Sequence, residues 1–386
     1  MSRFLFVVPP LVGHINPTVG VAAELTARGH RVAWVCAEPE LVGRLAGPEA
    51  PVFGCGGALA GERPADLRGP EALRFLWEWY LLPLAEAMAP GVRAAVEEFR
   101  PDVVVADQQA FAGAFTAERL DLPWATSATT SAEFTDPLAG LPKVREWLDE
   151  RLAALRTAIG DPRATGDPRF SPRLVLAFST PELAGPADGV RWVGPSITAR
   201  PAPSGFPWEW LDSGRATVLV TLGTANTDVG GRFLDVCRAA LRERSDRVRA
   251  VIVDPGGTLE PDADDKEVLV VPSVPQLALL ERGVDAVVCH AGHNTVCEAL
   301  WHGIPLVVAP IRDDQPVVAG QVVAAGAGVR VRFGRVTAQK LGAALDAVLH
   351  EPGYRRAAGR IRTAFRAAGG ASAAADHLDE LARESG

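Results

Sequence analysis

The sequence predicts two doubly wound α/β domains joined by one linker, and three observations carry that expectation. A chain of 386 residues exceeds what one ordinary core fills, since domains run to about 100–200 residues. Short β-branched apolar runs alternate with longer helical patterns through both halves, the mark of an open parallel sheet. Between the two series, residues 194–214 carry Pro195, Pro201, Pro203, Gly205 and Pro207 with little periodicity, which reads as a linker. The predicted boundaries are 1–200 for an N-terminal domain, 201–215 for the linker, 216–370 for a C-terminal domain and 371–386 for a last helix that packs back on the first domain.

Taken in order, the first half offers strands at 3–8, 31–35, 51–55, 102–106, 124–126, 174–178 and 191–193. A helix is expected over 16–28, with Asn16 as N-cap, Pro17 at its first position and Gly29 as its stop. A longer helical region, 71–99, is interrupted at Pro83 and Pro90-Gly91. The second half offers strands at 217–221, 248–253, 267–271, 285–289, 305–309 and 328–331. Its helices are expected at 229–242, 276–281, 294–302, 315–325, 338–350, 354–368 and 372–384. Two such sheets are expected to face a cleft at their carboxyl ends, the usual ligand site of doubly wound domains. No G-x-G-x-x-G comes after the first strand, which disfavours a dinucleotide dehydrogenase.

Composition narrows the function classes. The formal charge is −8 and no run of five basic residues occurs, so no electrostatic footprint for nucleic acid or an anionic membrane is present. Three lysines among 39 basic residues indicate a GC-rich coding sequence and an actinomycete-like source. The five cysteines, 36, 55, 237, 289 and 297, form no disulfide framework, which favours a reducing compartment. The opening MSRFLFVVPPLVGHINP is broken at Pro9-Pro10, so it reads as strand and turn rather than a signal peptide. With no apolar stretch near the roughly 18 residues that cross a bilayer, a cytoplasmic protein, monomer or homodimer, is expected.

The segment CHAGHNTVCEALWHG, 289–303, crowds three histidines and two cysteines together. Zinc is disfavoured, because Cys289 ends an apolar strand and His302 stands on the far turn of the next helix, about 12 Å along its axis at 1.5 Å per residue. An anion cradle fits better. Gly292 admits a close backbone approach, and Asn294 and Thr295 sit where the N–H groups of a helix N-terminus point outward. The plainer reading is that Thr295-x-x-Glu298 is only a capping box.

Residues on either side of that segment make a resemblance specific. His290, Gly292, Thr295, Glu298-Ala299, Gly303, Pro305, Pro310 and Asp314-Gln315, at these spacings, resemble the donor-binding signature of family 1 glycosyltransferases with the GT-B fold. Pro275-Gln276 resembles the opening of that signature, Gly13-His14-Ile15-Asn16-Pro17 the family's N-terminal hallmark, and Thr221-Leu222-Gly223-Thr224 the first loop of its second domain. The resemblance implies diphosphate contacts from His290, Gly292, Asn294 and Thr295 with Thr224 nearby. It implies nucleobase contacts at Val274 and Gln276, ribose contacts at Glu298, and sugar contacts at Asp314 and Gln315. Ser273 stands where plant members stack a Trp on the base, which leaves dTDP and UDP both open. The cofactor expectation is none and no metal, the nucleotide-sugar being a substrate.

His14 comes after the first strand, and Asp107 directly after the run 102–106. In a domain with strand order 3-2-1-4-5, the first and fourth strands are neighbours, so the two side chains emerge together. A carboxylate on one ring nitrogen fixes the tautomer and leaves the other to take a proton from an acceptor hydroxyl; the resemblance implies this general-base role. Such a base favours a single displacement with inversion.

Residues 75–84 hold Phe75, Trp77, Trp79 and Tyr80, readable as helix core or as the lining for a flat lipophilic acceptor joined by Phe111, Phe134 and Trp147. The leading expectation is sugar transfer to a hydroxyl of a polyketide, macrolide, terpenoid or aromatic product. The alternatives are N- or C-transfer to an aromatic acceptor, a nucleotide-sugar epimerase, a cell-wall glycosyltransferase, or a non-catalytic protein of the same fold.

Overall fold

In a computed structural model the described residues are 1–56, 64, 67, 69–135, 138, 140–198, 205–211, 214–223, 229–260 and 266–384. The chain divides into two units, one formed by Met1–Pro181, Pro186–Thr198 and Ala367–Gly386, the other by Glu182–Gly185 and Ala199–Arg366.

The first unit is built on a seven-stranded sheet in the order β3-β2-β1-β4-β5-β6-β7, with every pairing parallel. Its strands are β1 (Arg3–Val7), β2 (Arg31–Cys36), β3 (Val52–Gly54), β4 (Val103–Asp107), β5 (Trp124–Ala128), β6 (Val175–Ala177) and β7 (Arg191–Trp192). Both faces are covered, which is why the central strands read as unbroken apolar runs rather than alternations. Phe4, Phe6, Val103 and Val105 pack on one side with Leu25 and Leu378, and Leu5, Val7, Val104 and Ala106 on the other with Leu84, Met88 and Val92.

The first helix runs Val12–Ala27 with Leu11 at its N-cap, so Asn16 is not the cap and Pro17 lies inside the helix. The expectation of a start at Asn16 is thereby corrected. The reason is local: Pro9-Pro10 ends the strand, and the N–H groups of His14 and Ile15 both donate to the Leu11 carbonyl, at 2.9 and 3.1 Å. The turn closes early, and Pro17 forgoes a single helical bond in the second turn.

The last helix, Gly370–Glu384, lies on the first helix. Arg28 reaches Asp376 at 2.6 Å and Asp379 at 3.2 Å while also holding Glu24 at 2.9 Å. Gly20 permits the approach, since a Cβ there would stand 2.5 Å from Ser196 Oγ and 3.3 Å from Ala371 Cβ.

The helical region expected at 71–99 is continuous: a helix over Gly69–Phe75, a π-helical turn over Leu76–Leu81 and a helix over Leu82–Phe99. Pro83 falls in the first turn of that last helix, and Pro90 lies within it. The Leu82 N–H donates to the Trp77 carbonyl five residues back, the wide spacing that accommodates Pro83 without an N–H of its own.

The second unit carries a six-stranded sheet in the order β10-β9-β8-β11-β12-β13. These are Ala216–Thr221 (β8), Val248–Val253 (β9), Val268–Val271 (β10), Ala286–Cys289 (β11), Leu306–Val308 (β12) and Gly328–Arg330 (β13). Every pairing is again parallel, with β8 and β11 adjacent at the centre. Strand order reverses between those two, which opens the switch point where doubly wound sheets bind ligands. Among the described residues, no helix is long and apolar enough to cross a membrane.

Candidate active site

In the first unit, β1 pairs with β4 in the register Val7↔Ala106, which brings the chain beyond each strand to one edge. His14, in the first turn of the helix after β1, and Asp107, the last residue of β4, meet there. His14 Nδ1 lies 2.9 Å from both Asp107 carboxylate oxygens. The Asp107 side chain is wholly buried and that of His14 is 15% exposed. Asp107 Oδ1 also accepts from the Gln109 N–H at 2.8 Å. A carboxylate so engaged faces a ring N–H at Nδ1 and leaves Nε2, across the ring, as the basic nitrogen.

A third group, absent from the sequence reading, completes this edge. Thr129 Oγ1 stands 2.8 Å from His14 Nδ1 and donates to Asp107 Oδ2 at 2.9 Å. The available signal was the hydroxyl-rich exit of β5, Thr126-Ser127-Ala128-Thr129-Thr130-Ser131, on the strand that pairs with β4.

Tyr80, on the π-helical turn, has a buried hydroxyl with no hydrogen-bond partner among the described residues. Burial, and then the negative charges of Cys36, Glu38 and Asp107, push this phenol up, so it stays a donor at neutral pH.

Five of the other aromatics proposed from sequence separate into three places. Trp77 and Phe111 stack at 5.5 Å inside a core with Phe115, Leu148 and Leu152. Phe75 and Trp79 stack at 6.4 Å, with Trp79 63% exposed. Phe134 packs on Phe170 and Trp192.

In the second unit, the sequence-predicted donor residues gather at the carboxyl edge of the sheet. His290 comes directly after β11, whose last residue pairs with Thr221 of β8, and the edge of its ring lies close against two glycines. A Cβ on Gly223 would lie 2.7 Å from His290 Cε1, and one on Gly292 would lie 2.2 Å from Nε2. Burial, together with the positive charge of Arg312 and against a bond to the Thr221 backbone, pushes His290 down to about 4; the ring is neutral at pH 7. Arg312, itself buried, went unnoticed in the sequence because one arginine in a turn carries no pattern.

The helix after His290 spans His293–Trp301, with Gly292 as N-cap and no side-chain cap. It therefore begins one residue earlier than expected, and Thr295 lies within the first turn rather than at the cap. The capping-box reading is thus not realised. The first turn of any helix directs its N–H groups toward the entering chain, here toward Gly292 and Asn294, both part-exposed.

Gln276 Nε2 donates to Glu298 Oε2 at 2.6 Å, joining the two predicted nucleoside contacts, with Val274 part-exposed beside them in sequence. Gln315 Oε1 accepts from the Ile311 and Arg312 N–H groups at 2.9 and 3.1 Å, which shapes the loop and leaves its amide nitrogen to donate. Asp314 is the N-cap of the helix Gln315–Ala324. Thr224 lies outside the described residues.

The remaining groups of the 289–303 segment do not converge. Cys289 and Cys297 are buried and burial pushes both thiols up, Cys289 to about 12, so neither is a nucleophile. His293 Nε2 contacts Cys297 Sγ at 3.4 Å one turn on, and His302 caps the far end. Among the described residues, no three His, Cys, Asp or Glu side chains gather to hold a metal.

Two parallel doubly wound units, one bearing a His–Asp pair and the other a glycine-flanked histidine before a helix N-terminus, match the GT-B architecture of solved glycosyltransferase structures. Residues 196–366 match the family model described as UDP-glucoronosyl and UDP-glucosyl transferase. Over 98% of this chain and 99% of the relative, the sequence is 32% identical to 4'-demethylrebeccamycin synthase of Lentzea aerocolonigenes. It is 30% identical to demethyllactenocin mycarosyltransferase of Streptomyces fradiae over 99% and 87%. The crystal structure of the glycotransferase of kitacinnamycin superposes with a TM-score of 0.80 at 28% identity, covering 98% of each chain. The chain belongs to the family 1 glycosyltransferases.

Proposed function

We propose that this enzyme transfers a sugar from a dTDP- or UDP-sugar to a hydroxyl of a lipophilic natural product, with inversion at the anomeric carbon. The observation that carries the reading is the His14–Asp107 contact at 2.9 Å. In the reaction, His14 Nε2 removes the proton from the acceptor hydroxyl as its oxygen bonds to the anomeric carbon, and the bond from that carbon to the diphosphate breaks. Asp107, held in place by the Gln109 N–H, stabilises the imidazolium that forms.

On the donor side, the diphosphate is assigned to neutral His290, Gly292, Asn294 and Thr295, and to Thr224 by the family resemblance. There the helix N-terminus offsets the charge that develops on the leaving group. Glu298 and Gln276 read the nucleoside with Val274, and Asp314 and Gln315 read the sugar. The printed names of the relatives, a rebeccamycin-type synthase and a mycarosyltransferase, support an acceptor from natural-product biosynthesis. Trp79 is the most exposed of the aromatics proposed for such an acceptor, with Phe75 and Phe134 half-buried and Trp77 and Phe111 supporting from the core. The five buried thiols fit a reducing cytoplasm, where nucleotide-sugars are made.

The test is a matrix of dTDP- and UDP-sugars against polyketide, macrolide, terpenoid and aromatic aglycones, read by product mass and fragmentation. O-linked products support the proposal. N- or C-linked products, donor isomerisation without transfer, or no product with any pair would overturn it.

A further inference from the structure

The structure assigns Thr129 as a positioning residue that holds His14 in its basic tautomer, which rests on the reading of His14 as general base. Thr129 is 3% exposed, and its hydroxyl sits between the members of the pair: 2.8 Å from His14 Nδ1 and 2.9 Å from Asp107 Oδ2. A hydroxyl has one proton and two lone pairs. Asp107 is an acceptor only, so the Thr129 proton goes to Oδ2, and a lone pair on Oγ1 is left facing Nδ1. That nitrogen is then surrounded by three oxygens at 2.8–2.9 Å, all of which accept. A bare Nδ1 would face three acceptor atoms with no proton to share, whereas an Nδ1–H is shared among them. The arrangement therefore selects the Nδ1–H tautomer and places the basic lone pair on Nε2.

Two features set Thr129 apart from a packing residue. The branched side chain is stiff at χ1, so the hydroxyl is held rather than rotating to suit the solvent. It also acts on both partners at once: its donation keeps Asp107 an acceptor, and its lone pair stabilises the imidazolium formed during turnover. The other titratable groups of this edge are Tyr80 from the π-helical turn, with Cys36 and Glu38 from the end of β2 acting on it together with Asp107. None of these supplies an atom at Nδ1 in place of Thr129.

Replacing Thr129 by Val keeps the shape, removes the nearest acceptor from Nδ1 and puts a methyl group there. Asp107 loses the Thr129 donor but keeps its charge and its Gln109 bond, so the lost acceptor at Nδ1 and the added desolvation dominate and the imidazolium is disfavoured. The experiment is long-range ¹H–¹⁵N correlation of histidine-labelled protein across pH, with His14→Ala used to assign the His14 signals. Wild type is expected to show the Nδ1–H tautomer when neutral. Thr129→Val is expected to titrate at lower pH with its Nδ1–H signal shifted, and Thr129→Ser to restore the wild-type pattern.

Turnover of the substrate pair found by the product screen is expected to fall on the order of ten- to a hundred-fold in Thr129→Val, the range for losing a hydrogen bond to a charged group. Most of it should return in Thr129→Ser, and dTDP affinity should stay constant throughout. A His14 midpoint and Nδ1–H signal unchanged in Thr129→Val, or a Ser variant as impaired as the Val variant, would overturn the assignment. If His14→Ala itself retains turnover, the base reading fails, while the tautomer spectra still decide whether Thr129 positions the ring.

Discussion

Gly292→Ala is a one-methyl perturbation whose effect is set by a single neighbour. The backbone at Gly292 has φ −62° and ψ 135°, which alanine adopts without strain, so any cost comes from the space the methyl enters. That space holds His290: the new Cβ would stand 2.2 Å from Nε2 and 2.7 Å from Cε1, well inside an ordinary contact of about 3.5 Å. The Gly223 backbone also lies close to that edge of the ring, where a Cβ would be 2.7 Å from Cε1, so the room for the ring to shift is small. Overpacking of this kind costs about 1–3 kcal/mol. At about 2–4 °C per kcal/mol for a unit of this size, the melting temperature should fall by about 2–12 °C. Because the displaced ring is the proposed diphosphate contact, the dissociation constant for dTDP should rise roughly ten- to a hundred-fold, the worth of a hydrogen bond to a charged group. Scanning calorimetry and calorimetric titration with dTDP and UDP read the two effects. In a His290→Ala background the same substitution should cost little, a non-additivity expected only for touching residues. Gly359→Ala, where a Cβ meets nothing within 4 Å, should stabilise its helix by about 0.4–1 kcal/mol. Wild-type melting and dTDP binding in Gly292→Ala, or an equal cost with and without His290, would refute the packing and the cradle built on it.

The same edge sets two further outcomes. His290 binds its proton at about 4 when folded against an ordinary 6.5, so between those values the unfolded chain holds more protons. The stability His290 contributes is therefore present above about 6.5 and lost as pH falls toward 4, by about 3 kcal/mol in all. Urea unfolding at pH 7 and 4.5 should show a smaller acid loss in His290→Gln than in wild type, and equal losses would contradict the burial argument. Initial rates should survive EDTA, because the proposed diphosphate contacts are a helix N-terminus and a neutral histidine. Loss of rate that Mg²⁺ or Zn²⁺ restores would show that a metal carries part of that charge.

The strands were legible because parallel sheets covered on both faces leave unbroken apolar runs bounded by Gly, Pro and polar turns. Runs such as 102–106 and 248–253 sit within a residue of β4 and β9. Strand order alone places His14 beside Asp107, because β1 and β4 are neighbours. The first helix was misread at its start because Asn16-Pro17 is a strong local signal, yet Leu11 captures two N–H groups first. The π-helical turn at Leu76–Leu81 escaped because its signal is a spacing of five residues in the backbone, which leaves no mark in apolar periodicity. Thr129 was hidden for a different reason: hydroxyl residues leaving a strand are common, and only the β4–β5 register carries one of them to the His14 ring.

The measurement that bears most directly on the account is turnover of His14→Ala with the substrate pair found by the product screen, alongside its affinity for dTDP. A base that takes the acceptor proton predicts a fall of about 10²–10⁴ in kcat with dTDP affinity unchanged. Asp107→Asn should act on the same step and add less than its own full effect in the double variant. Wild-type kcat in His14→Ala, or a loss in the double variant equal to the product of the single losses, would contradict it.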